Sequence, residues 1–135
     1  MKFTDGYWQM RPGNTPHYAA QVHDVTVEQE ALTVYAPVGK LHTRGHTVSQ
    51  PLLTVRYSSP MENVIRVQLV HHRGKRPQKP EFTLTPGSAP KISLSNNKGS
   101  ASLKSGELTV RVHKTEDWRV EYLGGDQVLT FSSWR

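Results

Sequence analysis

The sequence predicts an antiparallel β-sandwich, and three observations support this fold class. Apolar and polar residues alternate with a period of two through most of the chain, the alternating runs are short, and glycine, proline and asparagine lie between them. Strands separated by turns every 8 to 12 residues or so are typical of a sandwich. No segment has the 3.6-residue apolar periodicity of a helix, so a βαβ fold is not expected.

Four runs predict strands in the first half of the chain, at residues 21–28, 31–36, 52–57 and 64–70. In each run the apolar residues recur at every second position or close to it, as in a strand with one buried face. The residues expected on the buried faces are Val22, Val25, Val27, Leu32, Val34, Ala36, Leu53, Val55, Tyr57, Ile65, Val67 and Leu69.

Three further runs, at 107–113, 117–123 and 127–131, predict a meander whose last turn is formed by Gly124-Gly125-Asp126. The residues expected on its buried face are Leu108, Val110, Val112, Trp118, Val120 and Tyr122. Weaker alternation predicts strands at 81–85, 92–95 and 101–104, with turns at Pro86-Gly87 and at residues 96–99 between them.

Length and composition restrict the class of protein. The 135 residues fit one domain, 1–135, and are too few for a catalytic barrel of about 250 residues. The chain has no cysteine, which excludes disulfide scaffolds, thiol catalysis and cysteine-ligated zinc, and makes a cytoplasmic protein the simplest interpretation. No apolar run is long enough to span a membrane, and no secretory signal is visible at the start.

The net charge of +6 keeps nucleic acid among the conceivable partners. The basic residues of the stretch 71–80, Arg73, Lys75, Arg76 and Lys79, could meet phosphates, but no aromatic residue is interleaved with them. We therefore interpret the stretch as a solvated loop and predict neither a nucleic-acid nor a membrane partner.

Seven histidines raise the question of a metal site. His42 and His46 would share a face only in a helix, whereas the residues between them are typical of a turn or a strand end. His71 and His72 are adjacent and would point to opposite sides of a strand. No nearby carboxylate completes a cluster, so we predict no metal ligands and no cofactor.

Glycoside hydrolysis would need two carboxylates held about 5 to 10 Å apart. Most of the carboxylates fall at predicted strand ends or in turns, where acidic residues favour solubility, and no serine-nucleophile or phosphate-loop motif is present. We predict no catalytic residue in this chain. The carboxylates considered are Asp5, Asp24, Glu28, Glu30, Glu62, Glu81, Glu107, Glu116, Asp117, Glu121 and Asp126.

The aromatic residues leave a second function open. Exposed aromatics stack on sugar rings, and Tyr7 and Trp8 near the start of the chain are candidates for such a contact in a stand-alone carbohydrate-binding module. Core packing is the expected role of Trp118, and Trp134 is expected to pack on another part of the chain.

Four segments resemble, in the same order, the N-terminal domain of bacterial α-xylosidases of glycoside hydrolase family 31. Residues 1–13 carry Lys2, Asp5-Gly6, Trp8 and Pro12-Gly13 in the family's order, and residues 34–36, 51–60 and 104–112 continue the likeness. Residues 71–97 match poorly.

The resemblance implies the leading part of a β-sandwich similar to galactose mutarotase-like domains, in an enzyme that releases α-linked xylose or glucose from non-reducing ends. The family's two catalytic aspartates belong to a (β/α)8 barrel with no counterpart here, so the expected role is a non-catalytic scaffold that packs on the barrel and shapes the substrate entrance. A sandwich that continued past Arg135 would leave an open edge or an apolar face, which predicts self-association.

Overall fold

The computed structural model describes residues 3–4, 7–8, 13–70, 89–115 and 117–134, with only the backbone described at 3–4 and 7–8. Almost every regular element in this part of the chain is a strand. The elements in chain order are β1 Phe3–Thr4, β2 Tyr7–Trp8, β3 Asp24–Val27, β4 Ala31–Pro37, α1 His46–Ser49, β5 Leu52–Ser58, β6 Arg66–Val70, β7 Ile92–Asn96, β8 Ser100–Ser105, β9 Leu108–His113, β10 Arg119–Gly124 and β11 Gln127–Ser133.

The longer strands form two antiparallel meanders. One sheet has four strands in the order β3-β4-β5-β6, and the other has five in the order β11-β10-β9-β8-β7, while β1 and β2 pair only with each other. Each strand therefore pairs with its neighbour in sequence. Gly106 and Gly125, both at a φ of 58°, occupy the tight turns after β8 and β10, where a left-handed backbone favours glycine. The structure confirms the predicted all-β class, with two antiparallel sheets and almost no helix.

The core lies between the two sheets. Leu32, Val34 and Ala36 of β4 pack against fully buried side chains from β8, β9 and β10 of the five-stranded sheet. The apolar side chains of the second sheet that are at most 1% exposed are Ala101, Leu103, Val110, Val112 and Val120. Period-two alternation on both sheets thus produces one continuous apolar layer.

Polar contacts join the two sheets at their ends. The Ser59 hydroxyl donates to Ser105 Oγ over 2.8 Å, and Ser105 is fully buried. The backbone N–H of Glu107 donates to Asn63 Oδ1 over 2.7 Å, and Asn63 has a positive φ of 60°. Gln21 and Asp117 form an isolated antiparallel bridge. The contacts of Ser59 and Asn63 fix the loop before β6 against the turn between β8 and β9.

Most predicted strands are confirmed, with shifts at their ends. Strand β3 begins at Asp24 rather than at residue 21, and the one-turn helix α1 was not predicted. The buried face predicted for residues 64–70 is wrong in part, because Val67 and Leu69 are exposed. Val27 is exposed as well. The strand predicted at 81–85 lies outside the described residues.

Within the described part of the chain, no helix has the length and apolar character needed to cross a bilayer.

Candidate functional site

An apolar groove opens between the two sheets at the side where β6 and β11 form their edges. Val67 is paired with Tyr57 and Leu69 with Val55, so their side chains share the inner face of the four-stranded sheet with core residues. The opposite sheet does not cover them, and Leu69 remains 61% exposed. We call the apolar groove between the two sheets the seam groove. It has a volume of about 250 Å³, and its lining includes Tyr18, Leu53, Val67, Leu69, Trp118 and Tyr122.

Two tyrosines from opposite sheets meet in the seam groove. Tyr57 of β5 is buried and shares a hydrogen bond with the hydroxyl of Tyr122 on β10, which is half-buried. Burial raises the pKa of Tyr57 far above its ordinary value, and the nearby Tyr122 raises it further. Burial also raises the pKa of Tyr122. Both side chains are therefore neutral and serve as hydrogen-bonding groups inside an otherwise apolar wall.

Trp118 forms part of the groove wall and lies at the junction of several segments. Its side chain is only 7% exposed, which confirms the predicted core role. The indole Nε1–H donates to Ser132 Oγ over 3.3 Å, and the Trp118 backbone N–H donates to the Ala20 carbonyl over 2.8 Å. The Trp134 backbone N–H in turn donates to the Trp118 carbonyl over 2.8 Å. Trp118 thus ties the segment before β3 to the segment after β11.

Trp134 packs as expected of a large aromatic near the chain end. Lys40 Nζ lies 4.5 Å from the centroid of its ring and 2.9 Å from Asp117 Oδ1. A cation over an indole face is a favourable contact, and here it occupies one face of the ring. Trp118 is buried, and Trp134 is 40% exposed with Lys40 over one face of its ring.

The outer face of the five-stranded sheet carries a charged cluster that the sequence analysis missed. Glu121 lies in the middle of β10, opposite Arg111, and its carboxylate is almost completely buried. Its oxygens lie 3.0 Å from His113 Nε2, 2.8 Å from Arg119 Nη2 and 3.8 Å from Arg111 Nη1. The nearby His113 and hydrogen bonds from Arg119 hold the pKa of this carboxyl below its ordinary value. The sequence carries no direct signal for this cluster, because the register of β9 against β10 is what places Glu121 among basic side chains.

This geometry is unsuited to acid catalysis by Glu121. A glycosidase acid needs a raised pKa so that it holds a proton at neutral pH, whereas this carboxyl is held in its charged form. The ion pairs of Glu121 with His113 and Arg111 instead link β10 to β9 on the outer face of the sheet.

His42 and His46 lie closer together than their spacing suggested. Residues 43–45 form a turn into α1, the His42 backbone N–H donates to His46 Nδ1 over 3.3 Å, and the ring centroids are 6.1 Å apart. The turn expected between the two histidines is present, and it brings their rings near each other without a helix between them. Within the described ranges, no group of three or more histidine, aspartate or glutamate side chains could hold a metal ion.

Several sequence candidates lie outside the described residues. These are the basic stretch with Arg73, Lys75, Arg76 and Lys79, the pair His71 and His72, the carboxylates Asp5, Glu81 and Glu116, and the side chains of Tyr7 and Trp8. Their predicted roles stay predictions.

The fold and the site define a two-sheet, all-β domain with an apolar open side. The sequence matches no protein-family model. It resembles a region of known α-xylosidases. It is 30% identical to the α-xylosidase XylQ of Lactiplantibacillus pentosus over 132 residues, which is 98% of this chain and 17% of that protein.

A second relative is an α-xylosidase of Emericella nidulans, to which the chain is 29% identical over 114 residues, or 84% of this chain and 14% of that protein. The chain therefore spans less than a fifth of the length of these relatives. The expected resemblance to α-xylosidases is confirmed.

Proposed function

We propose that this chain is the non-catalytic leading β-sandwich of a longer α-xylosidase or α-glucosidase of glycoside hydrolase family 31, with a galactose mutarotase-like fold. One observation carries the proposal. The likeness to an α-xylosidase covers 98% of this chain and only 17% of the relative, so most of the relative's length has no counterpart here. The reaction would be the release of α-linked xylose or glucose from non-reducing ends, performed by a barrel elsewhere in the polypeptide.

The seam groove supports a packing role. Its apolar side chains face outward from a chain with a mean hydropathy of −0.60, where exposed apolar surface has a cost in free energy. Contiguous apolar surface rimmed by polar groups marks contact sites in soluble proteins. In our proposal the sandwich is a scaffold that contacts the catalytic barrel, shapes the substrate entrance and takes part in subunit contacts. The lack of cysteine supports a cytoplasmic location.

The experiment is an assay with an aryl α-xyloside, applied to the 135-residue chain and to a longer polypeptide that contains it. We expect turnover by the longer polypeptide and none by the 135-residue chain. Turnover by the 135-residue chain would contradict a non-catalytic role. An inactive but folded longer polypeptide would contradict the α-xylosidase assignment.

A stand-alone carbohydrate-binding module is the rival function, and tryptophan fluorescence separates the two. Trp118 is buried and Lys40 lies over one face of Trp134, so a sugar could stack on the described indoles only at the other face of Trp134. We expect no saturable fluorescence change when the chain is titrated with xylo-oligosaccharides. A saturable change would favour the binding module.

A further inference from the structure

A small cavity lies at the end of the four-stranded sheet, where the chain leaves β4 and reaches β5 through α1. Pro37 and Leu52 are directly paired at the ends of these two strands, and both line the cavity. The volume of the cavity is about 90 Å³, several times the roughly 10–15 Å³ that one ordered water requires. We call this cavity the α1 pocket. Its other lining residues are His23, Leu41, His46, Thr47 and Gln50.

The loop that forms one side of the α1 pocket is held by three contacts. The Val38 N–H donates to the Pro51 carbonyl over 3.3 Å, and the Leu41 N–H donates to Gln21 Oε1 over 3.2 Å. Lys40, between them, lies 2.9 Å from Asp117 Oδ1. These contacts attach the loop to three other parts of the chain, so the pocket is built into the fold.

The α1 pocket contains hydrogen-bond acceptors that the protein does not use. Gln50 Oε1 is buried and has no hydrogen-bond donor among the described residues. A buried oxygen without a donor is unfavourable, and such atoms in native proteins commonly meet a ligand or an ordered water. The Thr47 hydroxyl donates to the Arg44 carbonyl over 2.7 Å, which leaves its oxygen able to accept. A ligand of this pocket should therefore donate hydrogen bonds.

His46 adds a donor to the α1 pocket. Its Nδ1 accepts a hydrogen bond from the His42 backbone N–H over 3.3 Å. A neutral imidazole that accepts at Nδ1 carries its hydrogen on Nε2. That hydrogen has no acceptor among the described residues, so a ligand should accept a hydrogen bond as well as donate them.

The lining restricts the class of ligand further. Among the described residues, those that line the α1 pocket include no lysine, arginine, aspartate or glutamate, so a charge of either sign would enter without a partner. Pro37, Leu41 and Leu52 supply apolar surface for the carbon skeleton of a ligand. A hydroxyl group both donates and accepts, and several hydroxyls on a small carbon ring match this combination.

We propose that the α1 pocket binds one small neutral polyol, of the size of a single pentose ring, through Gln50, Thr47 and His46. The inference goes beyond the proposed function and does not rest on it. The pocket is lined by residues 23–52 and is separate from the seam groove, because Leu52 lines the pocket whereas its neighbour Leu53 lines the groove. Neither of the described indoles lines the pocket, so tryptophan fluorescence does not report on it.

The test is a titration of the 15N-labelled 135-residue chain with D-xylose, followed by NMR of the backbone amides. We expect saturable chemical-shift changes, with a dissociation constant in the millimolar range, clustered at residues 41–50. Tetrahydropyran has the same ring without the hydroxyls and is the control ligand. It should cause no saturable change, because it cannot donate to Gln50 Oε1.

Three variants locate the site. Gln50→Leu removes the unused acceptor at similar volume and should weaken xylose binding about tenfold. Gln68→Leu is the matched control on β6, where Gln68 is paired with Arg56 away from the pocket, and it should leave the dissociation constant unchanged. Gly39→Ala keeps Gln50 but would place a Cβ 2.5 Å from its Oε1, so the amide must move and binding should weaken.

The same spectra show whether each variant is folded. The proposal is overturned if xylose causes no saturable change in the unaltered chain, if tetrahydropyran shifts the same amides equally, or if the Gln50 and Gln68 variants bind xylose equally well. A longer polypeptide without α-xylosidase turnover would leave this result unaffected, so the two proposals fail separately.

Discussion

The hydrogen bond between Tyr57 and Tyr122 makes an asymmetric prediction about stability. Tyr57 is only 1% exposed, whereas Tyr122 is half-buried at the groove. Tyr57→Phe leaves Tyr122 with a hydroxyl that water can reach, so we expect a loss of about 1 kcal/mol in the free energy of unfolding. Tyr122→Phe leaves the buried hydroxyl of Tyr57 without its partner, which costs about 1–3 kcal/mol.

Urea denaturation at neutral pH measures this difference. With a slope of about 2 kcal/mol per molar urea, Tyr57→Phe should lower the midpoint by roughly 0.5 M and Tyr122→Phe by up to about 1.5 M. Tyr35→Phe is the matched control, because the Tyr35 hydroxyl has no hydrogen-bond partner among the described residues, and it should change stability by no more than about 0.5 kcal/mol. The double variant should lose less than the sum of the two single losses, since both remove the same bond. Equal losses for the two single variants, or additive ones in the double variant, would refute the reasoning.

Three further predictions concern the outer face, a turn and the core. His113 and Arg119 lower the pKa of Glu121, so the contribution of Glu121 to stability is present above the unfolded pKa of about 4.3 and disappears as pH falls through the lower folded value. Glu121→Gln should therefore flatten the fall of the melting temperature in acid. An unchanged pH profile would contradict this. Asn63→Ala should lower the free energy of unfolding by about 2 kcal/mol, because alanine loses the hydrogen bond from the Glu107 N–H and must still adopt a positive φ. Asn63→Gly should lower it by about 1 kcal/mol, because glycine loses only the hydrogen bond. Equal losses in urea denaturation would exclude a contribution from backbone strain. Leu103→Ala should cost about 2–5 kcal/mol by calorimetry, and a loss below about 1 kcal/mol would show that the site collapses around the cavity.

The strands were predictable because their side chains alternate in the sequence. Val34, Val55 and Val110 lie on the buried faces to which their period of two assigned them. The exposure of Val67 and Leu69 was not predictable in the same way. Periodicity states which residues share a face, but it does not state whether the opposite sheet extends far enough to cover that face.

The site was less predictable than the fold, because it depends on pairing between strands. The burial of Glu121 on the outer face requires the register of β9 against β10 and the reach of Arg119, neither of which a single strand reveals. The contact between His42 and His46 arises in a turn too short to have a periodicity. Only the aromatic core role of Trp118 followed directly from residue type, since large aromatics usually become buried.

The open side of the sandwich gives the proposed scaffold role a test of its own. The seam groove lies on the inner face, between the sheets, and is lined in part by Val67 and Leu69, which the opposite sheet does not cover. Because a charge in the groove would lose its water when another domain packs on it, Leu69→Glu should weaken contact with the rest of a longer polypeptide. Val48→Glu, a matched change on the exposed helix α1, should leave that contact intact. Equal effects of the two substitutions would show that the groove is not the contact surface.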